Sequence, residues 1–143
     1  MGKKLHSKSY TQELIEELGV LLEELKALNK SIPVVVEGRK DELALRALGL
    51  KGEIIKLSSF SLPAFCEQLA EKCDKVVILT DWDRQGGALC RALKNYLLAN
   101  GVKYNDKIRE RLVKYARKEI KDVESLMAFL QNIHARAGRP QHS

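Results

Sequence analysis

Three times in the middle of the chain a short β-branched apolar run hands over to a longer stretch with helical spacing. No other feature constrains the fold as much. "IPVVVEG" at 32–38 precedes "RKDELALRALGL", in which Leu43, Ala44, Ala47 and Leu48 keep helical periodicity until Gly49 stops it. "GEIIKLS" at 52–58 precedes "LPAFCEQLAEKC", and "KVVILT" at 75–80 precedes "RQGGALCRALKNYLLANG", which Asn100 and Gly101 end. Strands alternating with helices of this length need crossover connections, so they predict a mostly parallel sheet flanked by helices. With "VKY" at 102–104 as a shorter fourth strand, the expected class is α/β with about four strands.

The flanks differ from this middle. At 143 residues the chain is long enough for one core and too short for two ordinary domains. Residues 1–31 form an N-terminal extension in which Leu14, Leu18, Leu21, Leu25 and Leu28 recur at steps of four and three. That seam predicts an amphipathic helix over 9–29, packing on the domain or on a second subunit, because two heptads are too few for an independent coiled coil. Residues 105–143 read as a basic helical extension and tail. Residues 101–143 hold ten Lys and Arg against five Asp and Glu, and so most of the chain's net charge of +6. Within them Lys107, Arg111, Lys114, Lys118 and Lys121 repeat at helical spacing beside an apolar face of Ile108, Leu112 and Tyr115 or Ala116. "DVESLMAFLQNIH" at 122–134 reads as a closing helix opened by an Asp cap, and "ARAGRPQHS" as a frayed tail. The charge asymmetry favours a polyanionic partner, usually nucleic acid, over a merely solvated basic surface, and no membrane partner is expected.

No apolar run approaches the roughly 20 residues that span a bilayer, and "MGKKLHSKSY" has no apolar stretch behind its charges, so a soluble, cytoplasmic protein is expected. Cys66, Cys73 and Cys90 are odd in number and lack a C-x-x-C pair, which suits buried small hydrophobes better than disulfides or zinc. The three histidines have no partners at metal-ligand spacing.

The chemistry-bearing residues collect where parallel sheets gather it, beyond the carboxyl ends of the strands. Glu37 closes the first strand; Asp81 and Asp83 follow the third in "VVILTDWDRQGG". Extended residues at i and i+2 point the same way, so Asp81 and Asp83 are expected to face one crevice with Glu37 while Trp82 turns aside. Clustered carboxylates repel one another and either shift a pKa or recruit a cation. Oxygen-only ligation suits Mg²⁺, with Mn²⁺ as a substitute, completed by water and phosphate oxygens. Arg39, Lys40 and Arg84 stand beside these acids to meet a phosphate, and Gly38, Gly86 and Gly87 are expected to clear side chains from the turns. Simpler readings compete: an Asp before a helix is ordinarily an N-cap, and D-x-D also occurs in aspartate-nucleophile phosphatases and metal-dependent glycosyltransferases.

The conjunction of "VVVEGRKDELALRALG" with "VVILTDWDRQG", about 44 residues apart from acid to acid, resembles the Toprim domain shared by topoisomerases, bacterial primases, recombination proteins and small-RNA maturases. The likeness covers about 32–104 as a core, and "IRERL…IKDVESL" is similar to the continuation of small stand-alone members. It implies a single Toprim-like Rossmannoid domain, Glu37 as a general acid or base or a metal ligand, and Asp81 and Asp83 holding Mg²⁺. The D-x-D-x-E-G form of type IA topoisomerases has Glu where this chain has Gln85, and the chain has no room for the further domains that topoisomerases and primases need. The expected function is Mg²⁺-dependent phosphodiester chemistry on nucleic acid, a nuclease or processing factor. RNA is slightly favoured over DNA by analogy with the maturases. The alternative is a non-catalytic nucleic-acid-binding or assembly module docking through the Leu14 to Leu28 helix, as a homodimer or in a protein complex. An aspartate-nucleophile phosphatase would need a downstream lysine and further acids at a second strand end, plus a reason for Glu37, and the 60 residues after Asp83 are too few and too basic to supply that whole set.

Overall fold

The computed structural model describes residues 10–57, 61–116, 120 and 122–138. Among the described residues six helices and four strands follow one another as α1 (Tyr10–Asn29), β1 (Val34–Val36), α2 (Arg39–Ala47), β2 (Ile54–Lys56), α3 (Leu62–Lys72), β3 (Lys75–Ile78), α4 (Arg84–Ala99), β4 (Lys103–Asn105), α5 (Lys107–Ala116) and α6 (Val123–Gly138). All three strand pairings are parallel, in the order β2-β1-β3-β4. The α/β expectation therefore holds, with β4 one residue later than "VKY" and the closing helix longer than its sequence pattern indicated.

Strand alternation divides the apolar residues between two cores. Val34, Val36, Val77 and Leu79 face one side, where they meet Leu14, Leu18, Leu21 and Leu25 of α1, Ala44 and Leu45 of α2, Ile108 and Leu112 of α5, and Val123 and Leu126 of α6. Val35, Val76 and Ile78 face the other, against Phe65, Cys66 and Leu69 of α3 and Cys90, Leu93 and Leu97 of α4. Successive strand residues on opposite faces, both covered, explain why these runs are continuously apolar. The leucine seam of α1 is occupied by the chain's own core. Leu14, Leu18, Leu21 and Leu25 are all buried there, while Leu28 packs at its margin.

The thiols behave as small hydrophobes. Cys66 and Cys90 are buried, and burial pushes the Cys66 thiol up to about 11. Helix ends follow local chemistry: Ser61 caps α3, Asp122 accepts the Ser125 N–H at 2.7 Å to open α6, and Gly101 takes positive φ just past α4. No described helix is long and apolar enough to cross a membrane.

The connectivity fixes where a site can form. From β1 the chain goes through α2 to β2 on one side, then returns to add β3 on the other side of β1. Helices α2 and α4, which leave the carboxyl ends of these two neighbouring strands, lie on opposite faces of the sheet. Their divergence opens a crevice at the switch point between β1 and β3.

Candidate functional site

Glu37 and Asp81 stand at that switch point, one residue beyond β1 and three beyond β3. The Asp81 N–H donates to Glu37 Oε2 at 2.8 Å, joining two motifs separated by 44 residues. Both side chains are part-buried. Burial is the main cause that raises the Asp81 carboxyl to about 7, with the charges of Asp41 and Glu37 adding to it. Glu37 is raised too, first by burial, then by Asp41 and Asp83, against a lowering hydrogen bond from Asp81.

Asp83 plays a different part. It is exposed, and its Oδ1 accepts the Gly86 N–H at 2.7 Å as the N-cap of α4. The orphan amides of α4 thus take one oxygen of Asp83, while its charge still bears on Glu37. Among the described residues no group of three His, Cys, Asp or Glu side chains is disposed to hold a metal ion. The donor set nevertheless fits Mg²⁺ chemically. Its donors are carboxylate oxygens alone, and their mutual repulsion favours a cation among them. Asp81 Oδ1 accepts the Val123 N–H at 3.3 Å and Asp83 Oδ1 is taken by Gly86, which leaves each carboxylate a second oxygen.

The loop from Thr80 to Gly86 is held by residues that motif reading passed over. Arg109 of α5, 8% exposed, donates from Nε to Thr80 O and Thr80 Oγ1, both at 3.0 Å, and from Nη2 to Asp81 O at 2.8 Å. The Thr80 hydroxyl in turn donates to Gly86 O at 3.1 Å. The Arg109 charge also lowers the Glu37 carboxyl, one of the few influences that favour its ionised form. Trp82 is turned aside as expected, buried, with its indole N–H donating to Ile120 O. Asp41 is the acid that sequence reading missed. Buried in the first turn of α2, it accepts the Gly38 N–H at 3.0 Å, is raised chiefly by its own burial, and raises Glu37 and Asp81. Its sequence signal was its position three residues after Gly38, the spacing of a capping acid.

The glycines divide. A Cβ at Gly86 would sit 1.9 Å from Asp81 O, so only glycine lets α4 start this close to the D-x-D backbone. A Cβ at Gly38 would meet nothing within 4 Å, and its φ of −152° is open to any residue. Gly87 has ordinary room. The expectation that all three clear space holds for Gly86 alone.

Arg39, Lys40 and Arg84 are exposed at the first turns of α2 and α4, on the rim of the crevice. Of the basic stripe, Lys107 and Lys114 are exposed on α5, and Arg111 pairs with Glu24 of α1 at 2.8 Å. Lys118 and Lys121 lie outside the described residues, as does the side chain of Tyr115, whereas Ile108 and Leu112 are buried as predicted.

Comparison with known proteins identifies the family and the fold. The family model described as Toprim domain matches residues 32–124. A UPF0292 protein of Methanosarcina acetivorans is 39% identical over 126 residues, covering 88% of this chain and 86% of its own length. One from Pyrococcus horikoshii is 41% identical over 108 residues, with 76% and 81% covered. One from Methanocaldococcus jannaschii is 34% identical over 119 residues, with 82% and 93% covered. Among solved structures, a putative protein from Aquifex aeolicus superposes with a TM-score of 0.66 at 27% identity, over 75% of this chain and 95% of that one.

Proposed function

This chain belongs to the Toprim family, and we propose that it performs Mg²⁺-dependent phosphodiester chemistry on nucleic acid. The observation that carries the proposal is the Glu37–Asp81 pair. Two carboxylates from neighbouring strand ends are joined through one amide, and both are raised by burial and by the surrounding acids. Carboxylates in that state at the switch point of a parallel sheet suit a hard cation that keeps positions for phosphate oxygens.

Asp81 and Asp83 are the proposed holders of the ion, through the oxygens their backbone hydrogen bonds leave over. Bound there, Mg²⁺ or Mn²⁺ supplies neutralisation of charge on the scissile phosphate. Glu37 exchanges a proton with the attacking or leaving oxygen, a role helped by its raised pKa, or contributes an oxygen to the cation. Arg39, Lys40 and Arg84 steady the phosphate from the rim. Lys107 and Lys114, continued by Lys118 and Lys121, track the backbone with salt-sensitive, largely sequence-independent affinity, and Arg111 joins them by exchanging Glu24 for phosphate. RNA is placed ahead of DNA by analogy with the stand-alone maturases.

The direct test is a panel of labelled RNAs and DNAs incubated with Mg²⁺, Mn²⁺ or EDTA, using wild type beside Glu37→Gln and Asp81→Asn. Metal-dependent products lost in both variants are expected. Intact substrates with binding unchanged in all three proteins would refute catalysis. The N-cap role of Asp83 favours a second reading, a non-catalytic binding module, because it gives that residue a structural duty. Under both readings, charge reversal at Lys107 and Lys114 weakens binding.

A further inference from the structure

At the opposite end of the sheet from the acids lies a hollow of opposite charge. It encloses about 490 Å³ and is lined by Lys26, Lys30, Gly49, Lys51 and Gly52. Lys26 and Lys30 come from the last turn of α1 and the residues just past it. Gly49, Lys51 and Gly52 come from the loop that carries α2 into β2. No carboxylate lines it. Lys26 pairs with Glu23 at 3.3 Å, while Lys30 and Lys51 make no ion pair among the described residues.

The floor of this hollow is built, not incidental. Asn29, 2% exposed, accepts the Gly52 N–H on Oδ1 at 2.8 Å and donates from Nδ2 to Ile32 O at 3.1 Å and Glu53 O at 2.9 Å. A Cβ at Gly52 would come within 1.8 Å of Asn29 O, so the loop can pass only as glycine. Gly49 takes a φ of +104°, and the Lys26 side chain crosses it so closely that a Cβ there would lie 3.2 Å from Nζ. Lysines near the C-terminus of α1 are explained in part by the helix dipole. Neither Lys51 nor the glycine floor is explained that way. Lys30 and Lys51 at this opening have no ion-pair partner among the described residues, and a multivalent anion supplies one for both.

We propose that this hollow binds a compact polyphosphate group. Its volume falls in the range of about 300–1,000 Å³ typical of small-molecule sites, which suits a triphosphate better than a long strand laid across a surface. Lysines, as rotatable point charges, can close around such a group from two elements. The group is carried by a free nucleotide or by the 5′ end of a nucleic acid. The inference does not depend on catalysis at the acidic crevice.

The test is calorimetric titration of the full chain in EDTA, which leaves the acidic crevice without metal, using inorganic triphosphate, a nucleoside triphosphate, and single-stranded oligonucleotides ending in 5′-triphosphate or 5′-hydroxyl. Lys30→Glu/Lys51→Glu and the milder Lys30→Gln/Lys51→Gln are compared with Lys103→Glu, on the far edge strand β4, as a control. All alter exposed side chains, and circular dichroism and melting check their folding. Expected are binding of triphosphate by wild type and Lys103→Glu, and an affinity at least about tenfold weaker in both double variants. Tighter binding of the triphosphate-ended oligonucleotide than of the nucleotide assigns the source to nucleic acid; the reverse assigns it to a free nucleotide. No binding of any triphosphate, or equal binding by the double variants, overturns the proposal. So does a hydroxyl-ended oligonucleotide that binds as tightly as its triphosphate-ended counterpart.

Discussion

The two turns that carry the acidic motifs are built by different means. The turn after β1, from Glu37 into α2, is held locally: Asp41 caps Gly38 from three residues away, and Gly38 itself has open space around it. The turn after β3 is held from a distance. Arg109, 28 or 29 residues on, grips Thr80 and Asp81. Ile120 receives the Trp82 indole, Val123 reaches the Asp81 carboxylate, and Gly86 lies against the Asp81 backbone. A short loop with two carboxylates needs this support because its backbone carbonyls are buried beside like charges. The Arg109 guanidinium satisfies the carbonyls and offsets part of the charge.

The sharpest way to break this contrast is at the glycines. Gly86→Ala is expected to lose about 3 kcal/mol or more in urea denaturation, since helix or loop must move by more than an ångström, while Gly38→Ala changes stability by less than about 1 kcal/mol. Equal losses would show that the turns tolerate a side chain alike. Next in size is Arg109→Met, which strands the Thr80 and Asp81 carbonyls and is expected to cost about 2–4 kcal/mol; Arg109→Lys, reaching fewer of these acceptors, should recover part of it. Full recovery by lysine would mean that charge alone holds the loop.

Asp81→Asn probes the electrostatics of the same turn. The folded pKa of Asp81, about 7, lies above its ordinary value of 3.8. The group therefore favours folding most below the ordinary value, and that contribution is lost as pH rises through about 7. The asparagine variant should be more stable than wild type at pH 8, by on the order of 1–2 kcal/mol, and the advantage should vanish towards pH 4. For the same reason Mg²⁺ should raise the wild-type melting temperature more at pH 8 than at pH 6, because protons compete with the cation for Asp81. Melting curves with no pH dependence of the difference would remove the case for a repelling cluster. The smallest loss expected within the β3 turn is that of Trp82→Phe, about 1 kcal/mol, through the lost indole hydrogen bond.

The same contrast explains how much the sequence reveals. The strands, their helices and the parallel sheet were legible because period and punctuation are local properties: Val34 to Val36, Lys75 to Ile78, and the stops at Gly49 and Gly101. Glu37, Asp81 and Gly86 were legible because their placement follows from strand ends and a helix start. Arg109 was not, since it reads as one more cation in a basic third, and only the packing of α5 on the sheet turns it inward. Asp41 was hidden by its ordinary place in a first helical turn. Asp83 caps α4, the competing reading for any Asp in that position, and its charge still bears on Glu37. Positions fixed by strand ends and helix starts can be inferred from pattern even when, as for Glu37 and Asp81, they meet across 44 residues; a side chain such as Arg109, turned inward only by packing, cannot.

Trp82 is the chain's single tryptophan, and it sits between the two aspartates with its ring buried and its indole N–H donating to Ile120 O. The protein thereby carries an optical probe at its proposed site. Ultraviolet emission from that one indole reports the polarity around the D-x-D turn and the docking of Ile120, so cation, nucleic acid or proton binding can be followed without a label.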